Sequence, residues 1–416
     1  MKKNRIPAWV RRLGIYLAVL GPGLITASAD NDAPGIATYS MAGSTYGYQF
    51  LSIILIVTFG EVVIQEIAAR MGVVTGKGTA DLIRERFGVK VTAFAMFALF
   101  IANLGTTVAQ IAGVAASAEL FGISRYIAAP LAAILISYSV LKGSYKVIEK
   151  ALLVLSLSAL SYVVTVFMIR PPWGEILRAT LVPNFQFDTN FIIAMLATVG
   201  TTITPWGIFY MQASIADKGL TLKDYKYTKL DVVLGAAWGN VISAFVIIAT
   251  AATLFVAGIQ VETAEQAALV LSPLVGESAK ILFSAGLLGA SLLAMSVLPL
   301  STTYAFCEAF GFERGLNHSI REAPVFYGIY GAIVVMSVVI VMIPGIPLFP
   351  LMWLSQSLNA LLLPVILILL LKLSNNAQLM GEWKNNRLQN IFASSLVVLI
   401  SLLSIALLVT SIVEIF

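Results

Sequence analysis

Two carboxylates, a proline and a glycine lie inside the first strongly apolar stretch of the chain. Asp30, Asp32, Pro34 and Gly35 have apolar sequence on both sides. A charged side chain at the bilayer centre costs about 2.5–3.5 kcal/mol on insertion scales, so ionisable groups there mark ion or substrate pathways. Pro34 removes a backbone donor and Gly35 tolerates unusual dihedral angles, which predicts a helix break. Because breaks at this depth occur only inside protein or beside water, the stretch predicts a cation site in a transporter.

The elements that must position these residues are membrane-spanning helices. Of 416 residues, 59% are hydrophobic and 11% are charged, whereas a soluble protein carries about 25% charged residues. One cysteine and one histidine provide neither a disulfide framework nor a Cys/His metal cluster, so no cofactor is expected. The segments between the apolar stretches are too short to form a core of their own.

About eleven apolar stretches are long enough to cross a bilayer, which takes about 20 residues. They lie near 14–41, 47–70, 91–119, 124–142, 147–169, 190–215, 230–258, 278–307, 325–343, 348–372 and 390–415. If the N-terminus is cytoplasmic, the only basic residues in outer loops are Arg125, Arg170, Arg178 and Lys280. This bias follows the positive-inside rule. It predicts a multi-pass protein of a prokaryotic inner or plasma membrane, with a cytoplasmic N-terminus and an external C-terminus.

The same bias explains the net charge of +5 as a topology signal, so nucleic acid is not an expected partner. The bilayer is the expected surrounding, and no obligate protein partner is evident from the sequence.

A second break is predicted in the sixth span, where Pro205 and Gly207 interrupt an apolar helix. Interruptions at corresponding positions of two halves are the sequence mark of an inverted-repeat transporter with a site at the bilayer midplane. The chain then divides into a first repeat at 1–170, a second at 171–375 and an additional span at 376–416.

The half-helix before each break ends in backbone carbonyls without partners and carries a partial negative charge. The carbonyls near Ala29 and Thr201 are therefore expected to join Asp32 in holding a cation.

Four other polar residues in the apolar spans are candidates for the ion pathway. Asp30 either lines the cavity with Asp32 or bonds backbone donors at the break. Glu61 either lines the aqueous path or stays protonated. Thr202 either faces the ion or satisfies freed backbone groups, and Asn359 either faces the path or joins two helices.

Several separated motifs resemble the Nramp family of divalent-metal transporters. They are Gly21-Pro22-Gly23-Leu24-Ile25-Thr26 leading into Asp32, the second-span exit from Ala68 to Lys77, Asn240 in the seventh span, and Gln356 followed by Pro364 in the tenth. The resemblance covers most of the chain. It implies an all-α polytopic fold, a five-plus-five inverted repeat of the amino-acid-transporter type with helices 1 and 6 broken and one additional C-terminal helix.

The departures from the family pattern concern the ligands. The family's Asp-Pro-Gly-Asn reads Asp32-Ala33-Pro34-Gly35 here, so the aspartate is retained and its asparagine partner has become Gly35. The family's Met-Pro-His reads Thr204-Pro205-Trp206, and the stretch 103–110 lacks the third-span acids that the family associates with proton movement. Sulfur favours softer transition metals, whereas oxygen ligands suit Mg²⁺ and Mn²⁺.

With these substitutions, the chain resembles the magnesium-transporting branch of the family. The implied metal site consists of Asp32, Gly35, the carbonyls of Ala29 and Thr201, the Thr204 hydroxyl and Gln356. Several would act through water, because Mg²⁺ dehydrates reluctantly. The implied function is transport of hard divalent cations, Mg²⁺ first and Mn²⁺ second, by alternating access and without proton coupling.

Three alternatives remain at this stage. An Nramp branch that carries aluminium also lacks the methionine, and transition-metal transport is a further option. A sodium- or proton-coupled amino-acid symporter has the same fold class, although Asp32 would repel an anionic substrate group. A membrane enzyme is not expected, since the chain shows neither a nucleophile–base set nor a phosphate-binding loop.

Overall fold

The computed structural model of the chain describes residues 31–141, 157–186, 188–316 and 318–415. Within these ranges the regular structure is helical throughout. Eight helical segments are long and apolar enough to cross a membrane, and two shorter apolar helices accompany them. The first half of the first predicted span lies outside the described residues, and with it Ala29 and Asp30.

The helices run through the chain in one order, and their bounds agree with most of the predicted spans. They are α1 (Ala33–Tyr46), α2 (Phe50–Thr75), α3 (Thr79–Glu119), α4 (Arg125–Leu141), α5 (Leu160–Ile169), α6 (Trp173–Leu181), α7 (Thr189–Thr202), α8 (Pro205–Asp217), α9 (Tyr225–Thr250), α10 (Ala264–Ala268), α11 (Ser272–Val275), α12 (Ala279–Phe310), α13 (Pro324–Val341), α14 (Leu348–Ser374), α15 (Ala377–Met380) and α16 (Arg387–Ile415).

The predicted break in the sixth span is confirmed. α7 ends at Thr202 and α8 begins at Pro205, a position that proline favours because its missing N–H has no partner there in any case. α1 likewise begins at Ala33 with Pro34 in its first turn. The helix therefore starts directly after Asp32, as the proline and glycine predict.

α3 is the central helix of the described structure. It packs against α1, α4, α8, α12, α13 and α14, and residues 106–117 are all buried. Gly88 interrupts it with a φ of 75°, a left-handed conformation that glycine adopts without a Cβ clash. This bend separates a short first segment from the long buried one, which agrees with the predicted start of the third span near residue 91.

α7 and α14 approach each other closely at Gly200. A Cβ at this position would overlap the carbonyl oxygen of Gln356 and lie 2.8 Å from the backbone nitrogen of Ala360. Small residues at helix contacts allow such close backbone approach in membrane proteins. The contact holds the backbone of Gln356 beside the last turn before the break.

We expect Gly200→Ala to destabilise the protein, because the added methyl group meets backbone atoms that cannot rotate away. Overpacking of this kind costs about 1–3 kcal/mol, so the thermal unfolding temperature in detergent should fall. Gly328→Ala is the matched control, since a Cβ there meets nothing within 4 Å. Equal unfolding temperatures for the two variants would contradict the close contact.

Candidate metal-ion site

Asp32 is the N-cap of α1. Its Oδ1 accepts a hydrogen bond of 2.9 Å from the backbone N–H of Gly35, and its own carbonyl accepts the first helical bond, from Ile36. The side chain is therefore held at the positive end of a helix, where a carboxylate is stabilised. Asp32 is 5% exposed, so its charge is held inside the protein. Gly35 contributes its N–H to this cap and has no side-chain ligand.

The second carboxylate oxygen of Asp32 accepts a hydrogen bond from Nε2 of Gln110, which lies on α3. Gln110 is fully buried. The sequence analysis did not select this residue. The signal that could have found it is the spacing of Asn103, Thr106 and Gln110, which places three polar side chains on one face of the mostly apolar part of α3 that follows Gly88.

Thr204 repeats the geometry of Asp32 at the second break. It is the N-cap of α8, and its Oγ1 accepts a hydrogen bond of 3.3 Å from the backbone N–H of Gly207. In both caps the donor is a glycine three residues further along the chain. The two half-helices thus begin alike, with a charged oxygen donor at Asp32 and a neutral one at Thr204.

The break is expected to free an acceptor in the last turn of α7, at the carbonyl of Thr201. Helical geometry would pair its carbonyl with the nitrogen of Pro205, which carries no hydrogen. The hydroxyl of Thr202 is used differently. It donates to the Thr198 carbonyl at 2.8 Å, so the hydrogen bond of 3.0 Å between Thr202 and Tyr39 is donated by the tyrosine. Thr202 therefore joins α7 to α1.

Gln356 and Asn359 lie on α14 and are bonded to each other. Nδ2 of Asn359 donates to Oε1 of Gln356 at 2.9 Å and to Oγ1 of Thr106 at 2.8 Å. Since Thr106 lies one turn from Gln110 on α3, the α14 residues are linked through that helix to Asp32. The predicted pair of amides thus adjoins the same polar face of α3 as the carboxylate.

In the described part of the chain, Glu61 is bonded to residues of α2 and α9, and not to the polar face of α3 that Asp32 contacts. It is fully buried on α2 and accepts hydrogen bonds from Gln65 at 2.7 Å and from Asn240 of α9 at 2.5 Å. Asn31 is held by the neighbouring turn of α9, where it donates to the carbonyl of Gly239 at 3.1 Å. One turn of α9 therefore anchors both Glu61 and the residue preceding Asp32, and Asn31 is a second residue that the sequence analysis missed.

A cavity of about 580 Å³ opens beside the second break. It is bounded by α8, α12 and the loop between α2 and α3, and Trp206, Tyr210, Asp81, Glu308 and Arg314 are among the residues that line it. Trp206 is nearly fully buried and packs against Ala294 and Leu298. Trp206 follows Thr204 by two residues, so the first turn of α8 both begins at the break and contributes to the lining of this cavity.

The candidate ligands within the described residues are oxygen donors, and Asp32 is the one charged group among them. Among the described residues, no group of three or more His, Cys, Asp or Glu side chains is arranged to hold a metal ion. The candidate donors that the structure describes are the carboxylate of Asp32 and the neutral oxygens of Thr201, Thr204 and Gln356. Such donors suit hard cations that keep part of their water.

The chain is similar to curated transporters over nearly its whole length. It is 29% identical over 408 residues to the divalent metal cation transporter MntH of Erwinia tasmaniensis, with 95% of each chain covered. It is 26% identical over 390 residues to MntH of Verminephrobacter eiseniae, with 90% of this chain and 85% of that one covered.

Solved structures show a similar architecture. A manganese transporter of Eremococcus coleocola superposes with a TM-score of 0.74 at 21% identity, over 98% of this chain and 89% of the other. Mhp1, a nucleobase-cation-symport-1 family transporter, superposes with a TM-score of 0.50 at 16% identity, over 94% and 91%. These likenesses confirm the expected fold, an all-α inverted repeat.

The family is shown by the sequence itself. The profile described as "Natural resistance-associated macrophage protein-like" matches residues 23–410, a range that includes both helix breaks and every candidate ligand named above. The chain belongs to the Nramp family.

Proposed function

We propose that this protein carries hard divalent cations across the membrane by alternating access, with Mg²⁺ as the first substrate and Mn²⁺ as the second. The observation that carries the proposal is the setting of Asp32. Its carboxylate is buried and capped by Gly35 and Gln110, two neutral donors, and forms no salt bridge within the described ranges. A cation is the missing countercharge, since an unpaired buried charge is costly.

The preference for a hard ion rests on the donors around the break. The Nramp pattern has a methionine thioether at the position of Thr204. The threonine hydroxyl found here is an oxygen donor instead. The carbonyl of Thr201 and the amide of Gln356 add further oxygens. Without sulfur or imidazole in this set, Mg²⁺ and Mn²⁺ are better suited than softer ions, and aluminium is the next ion to test.

The relatives support a divalent cation and favour Mn²⁺ as the alternative first substrate. Two of them are named divalent metal cation transporters, and one solved neighbour is a manganese transporter. Their names describe transport and no reaction, which agrees with a chain that is not an enzyme. An amino-acid symporter is disfavoured because Asp32 occupies the half-helix N-terminus at which an anionic substrate group would bind.

The absence of proton coupling is proposed from the polar face of α3. Asn103, Thr106 and Gln110 are buried and neutral, and amides and hydroxyls neither gain nor lose a net charge near neutral pH. The ion gradient and the membrane potential would then drive transport. The half-helices α7 and α8, which are separated by the break at residues 203–204, and α1, which begins directly after Asp32, would supply the elements that rearrange.

We expect Asp32→Asn to abolish Mg²⁺ flux while the protein stays folded. Asparagine is as good an N-cap as aspartate, so the helix start survives and only the charge is lost. Flux into liposomes, measured with an enclosed Mg²⁺-sensitive dye, should fall by about tenfold or more. Asp32→Ala should lose both flux and about 1 kcal/mol of helix stability. Unchanged Mg²⁺ flux in a folded Asp32→Asn protein would remove Asp32 from the site.

We expect Thr204→Met to shift the preference from Mg²⁺ toward Mn²⁺ and Cd²⁺, because a thioether favours softer ions. The ratio of Cd²⁺ to Mg²⁺ flux should rise by about tenfold, an effect of 1.4 kcal/mol. Thr204→Val is the matched control, because it loses the same cap and hydroxyl without gaining sulfur. If both variants show the same ratio, Thr204 does not contact the ion.

Proton coupling has a separate test. Liposomes that enclose a pH-sensitive dye should show no internal acidification when an inward Mg²⁺ gradient drives uptake, because no titratable side chain has been found on the polar face of α3. A proton ionophore should leave the initial Mg²⁺ rate unchanged at a clamped membrane potential. Acidification that requires both Mg²⁺ and the protein would contradict the uncoupled mechanism.

A further inference from the structure

The helix α6 carries three exposed apolar side chains in a row, which we call the apolar stripe. Trp173, Leu177 and Leu181 are spaced four residues apart, so they lie along one side of the helix, and their exposed fractions are 45%, 60% and 63%. Glu175 and Arg178 are exposed on the other side. A helix with one apolar and one charged side is suited to the boundary between lipid and water.

α6 does not extend the span that precedes it. Arg170, between α5 and α6, has a φ of 53°, a left-handed conformation that a residue with a Cβ rarely adopts, and Pro171 and Pro172 follow it. Because a left-handed residue followed by two prolines ends an α-helix, α6 cannot continue the course of α5. With nine residues, α6 is about 14 Å long and too short to cross a bilayer.

The protein holds α6 on its predicted outer side. α6 packs against α2 and against the turn 47–49, which joins α1 to α2, and Ile176 is buried. In the segment after α6, Nε2 of Gln186 donates a hydrogen bond of 3.2 Å to Oε1 of Gln49. One side of α6 is therefore fixed to the protein, while the apolar stripe is left exposed.

The two helices that border a break also meet at this turn. Tyr46 of α1, Phe50 of α2 and Phe191 of α7 form a cluster of aromatic rings with centroids 5.1, 5.1 and 5.2 Å apart. The turn 47–49, on which α6 rests, connects Tyr46 to Phe50. The position of α6 therefore acts on the ends of α1 and α7 that lie away from the breaks.

The apolar stripe continues the lipid-facing side of α5. Val164, Phe167 and Met168 are exposed on that helix, and exposed apolar side chains of a membrane span contact lipid. The ring of Trp173 lies 5.8 Å from that of Phe167, so one apolar surface runs from α5 onto α6. Tryptophan is also the side chain that favours the level of the lipid headgroups. Lipid is therefore the partner that fits the stripe.

We propose that α6 lies in the outer headgroup layer of the bilayer, with its apolar stripe among phospholipid chains and Glu175 and Arg178 in water, and that it anchors the outer ends of α1 and α7 to the membrane. Alternating access requires these two helices to change position. A helix held between lipid and the turn 47–49 gives their outer ends a fixed point. The placement of α6 is the same for any transported ion.

Spin labels on α6 test the placement in proteoliposomes of phosphatidylethanolamine and phosphatidylglycerol. The full chain carries Cys307→Ala, which removes its one cysteine, and then Leu177→Cys in the apolar stripe. Glu175→Cys on the charged side is the matched control. Oxygen, which concentrates in lipid, should relax the label at 177, and a water-soluble nickel chelate should not. The ratio of oxygen to nickel collisions should be about fivefold or more higher at 177 than at 175.

Two results would overturn the placement. Equal access of the nickel chelate at 175 and 177 would mean that α6 lies in water above the bilayer. An immobile label at 177 that neither oxygen nor nickel reaches would mean that protein covers the stripe, either a second copy of this chain or another of its segments.

The anchoring has its own variant, Leu177→Gln combined with Leu181→Gln, which should release α6 from lipid. A label at Tyr48→Cys, in the turn 47–49, should then become more mobile. kcat for Mg²⁺ flux should fall by about threefold or more, because rearrangement limits the turnover of many proteins. KM should change by less than about twofold, since no candidate ligand lies on α6. Glu175→Gln, on the water side of the same helix, should leave label mobility, kcat and KM unchanged.

Unchanged mobility at 48 and unchanged kcat in the folded double variant would overturn the anchoring. If the double variant fails to fold, as judged by size-exclusion chromatography, Leu177→Gln alone carries the test. A merely structural defect would lower the yield of folded protein without separating kcat from KM. If the wild-type protein moves no divalent ion, the proposed function fails, and the labels at 48 and 177 still decide the placement and the anchoring.

Discussion

The structure around the site depends on holding one negative charge inside a membrane protein. Asp32 achieves this without a basic neighbour in the described part of the chain, through the N–H of Gly35, the positive end of α1 and the amide of Gln110. Three neutral interactions lower the cost of the charge but do not neutralise it. Within the described residues, this carboxylate is therefore folded into place without a countercharge, which is the condition a cation site requires.

The second break supplies the same backbone geometry without the charge. Thr204 caps α8 as Asp32 caps α1, and each accepts from a glycine three residues later. A divalent ion between the two half-helix starts would meet one formal negative charge and several dipoles. The remaining positive charge would be spread over neutral oxygens, which bind less tightly than a second carboxylate. An ion held in this way can be released, and release is as necessary for transport as binding.

The sequence predicted the helix breaks and most helix bounds, because proline, glycine and charge in an apolar stretch act locally. It also selected Gln356 and Asn359, through a motif and through their polarity. It did not find Gln110 or Asn31, since their partners lie 78 and 208 residues away in the chain. Glu61 shows the same limit. From the sequence, Glu61 was expected either to line the aqueous path or to stay protonated. In the structure it accepts a hydrogen bond from Asn240, which comes from another helix. Pairings of this length depend on packing and are not visible in local patterns.

The polar contacts also join the two helices that border a break, α1 and α7, to the helices around them. α1 is bonded to α3 through Asp32 and Gln110, and to α7 through Tyr39 and Thr202. α7 in turn is held against α14 by the close approach at Gly200. Ion binding at Asp32 therefore cannot change the position of α1 without straining contacts to three other helices. Each of these contacts is a single hydrogen bond or a backbone packing contact, and the bond of Gln110 to the charged carboxylate is the strongest of them. An ion bound at Asp32 would therefore act on α3 and α7 as well as on α1, through contacts that are few and of limited strength.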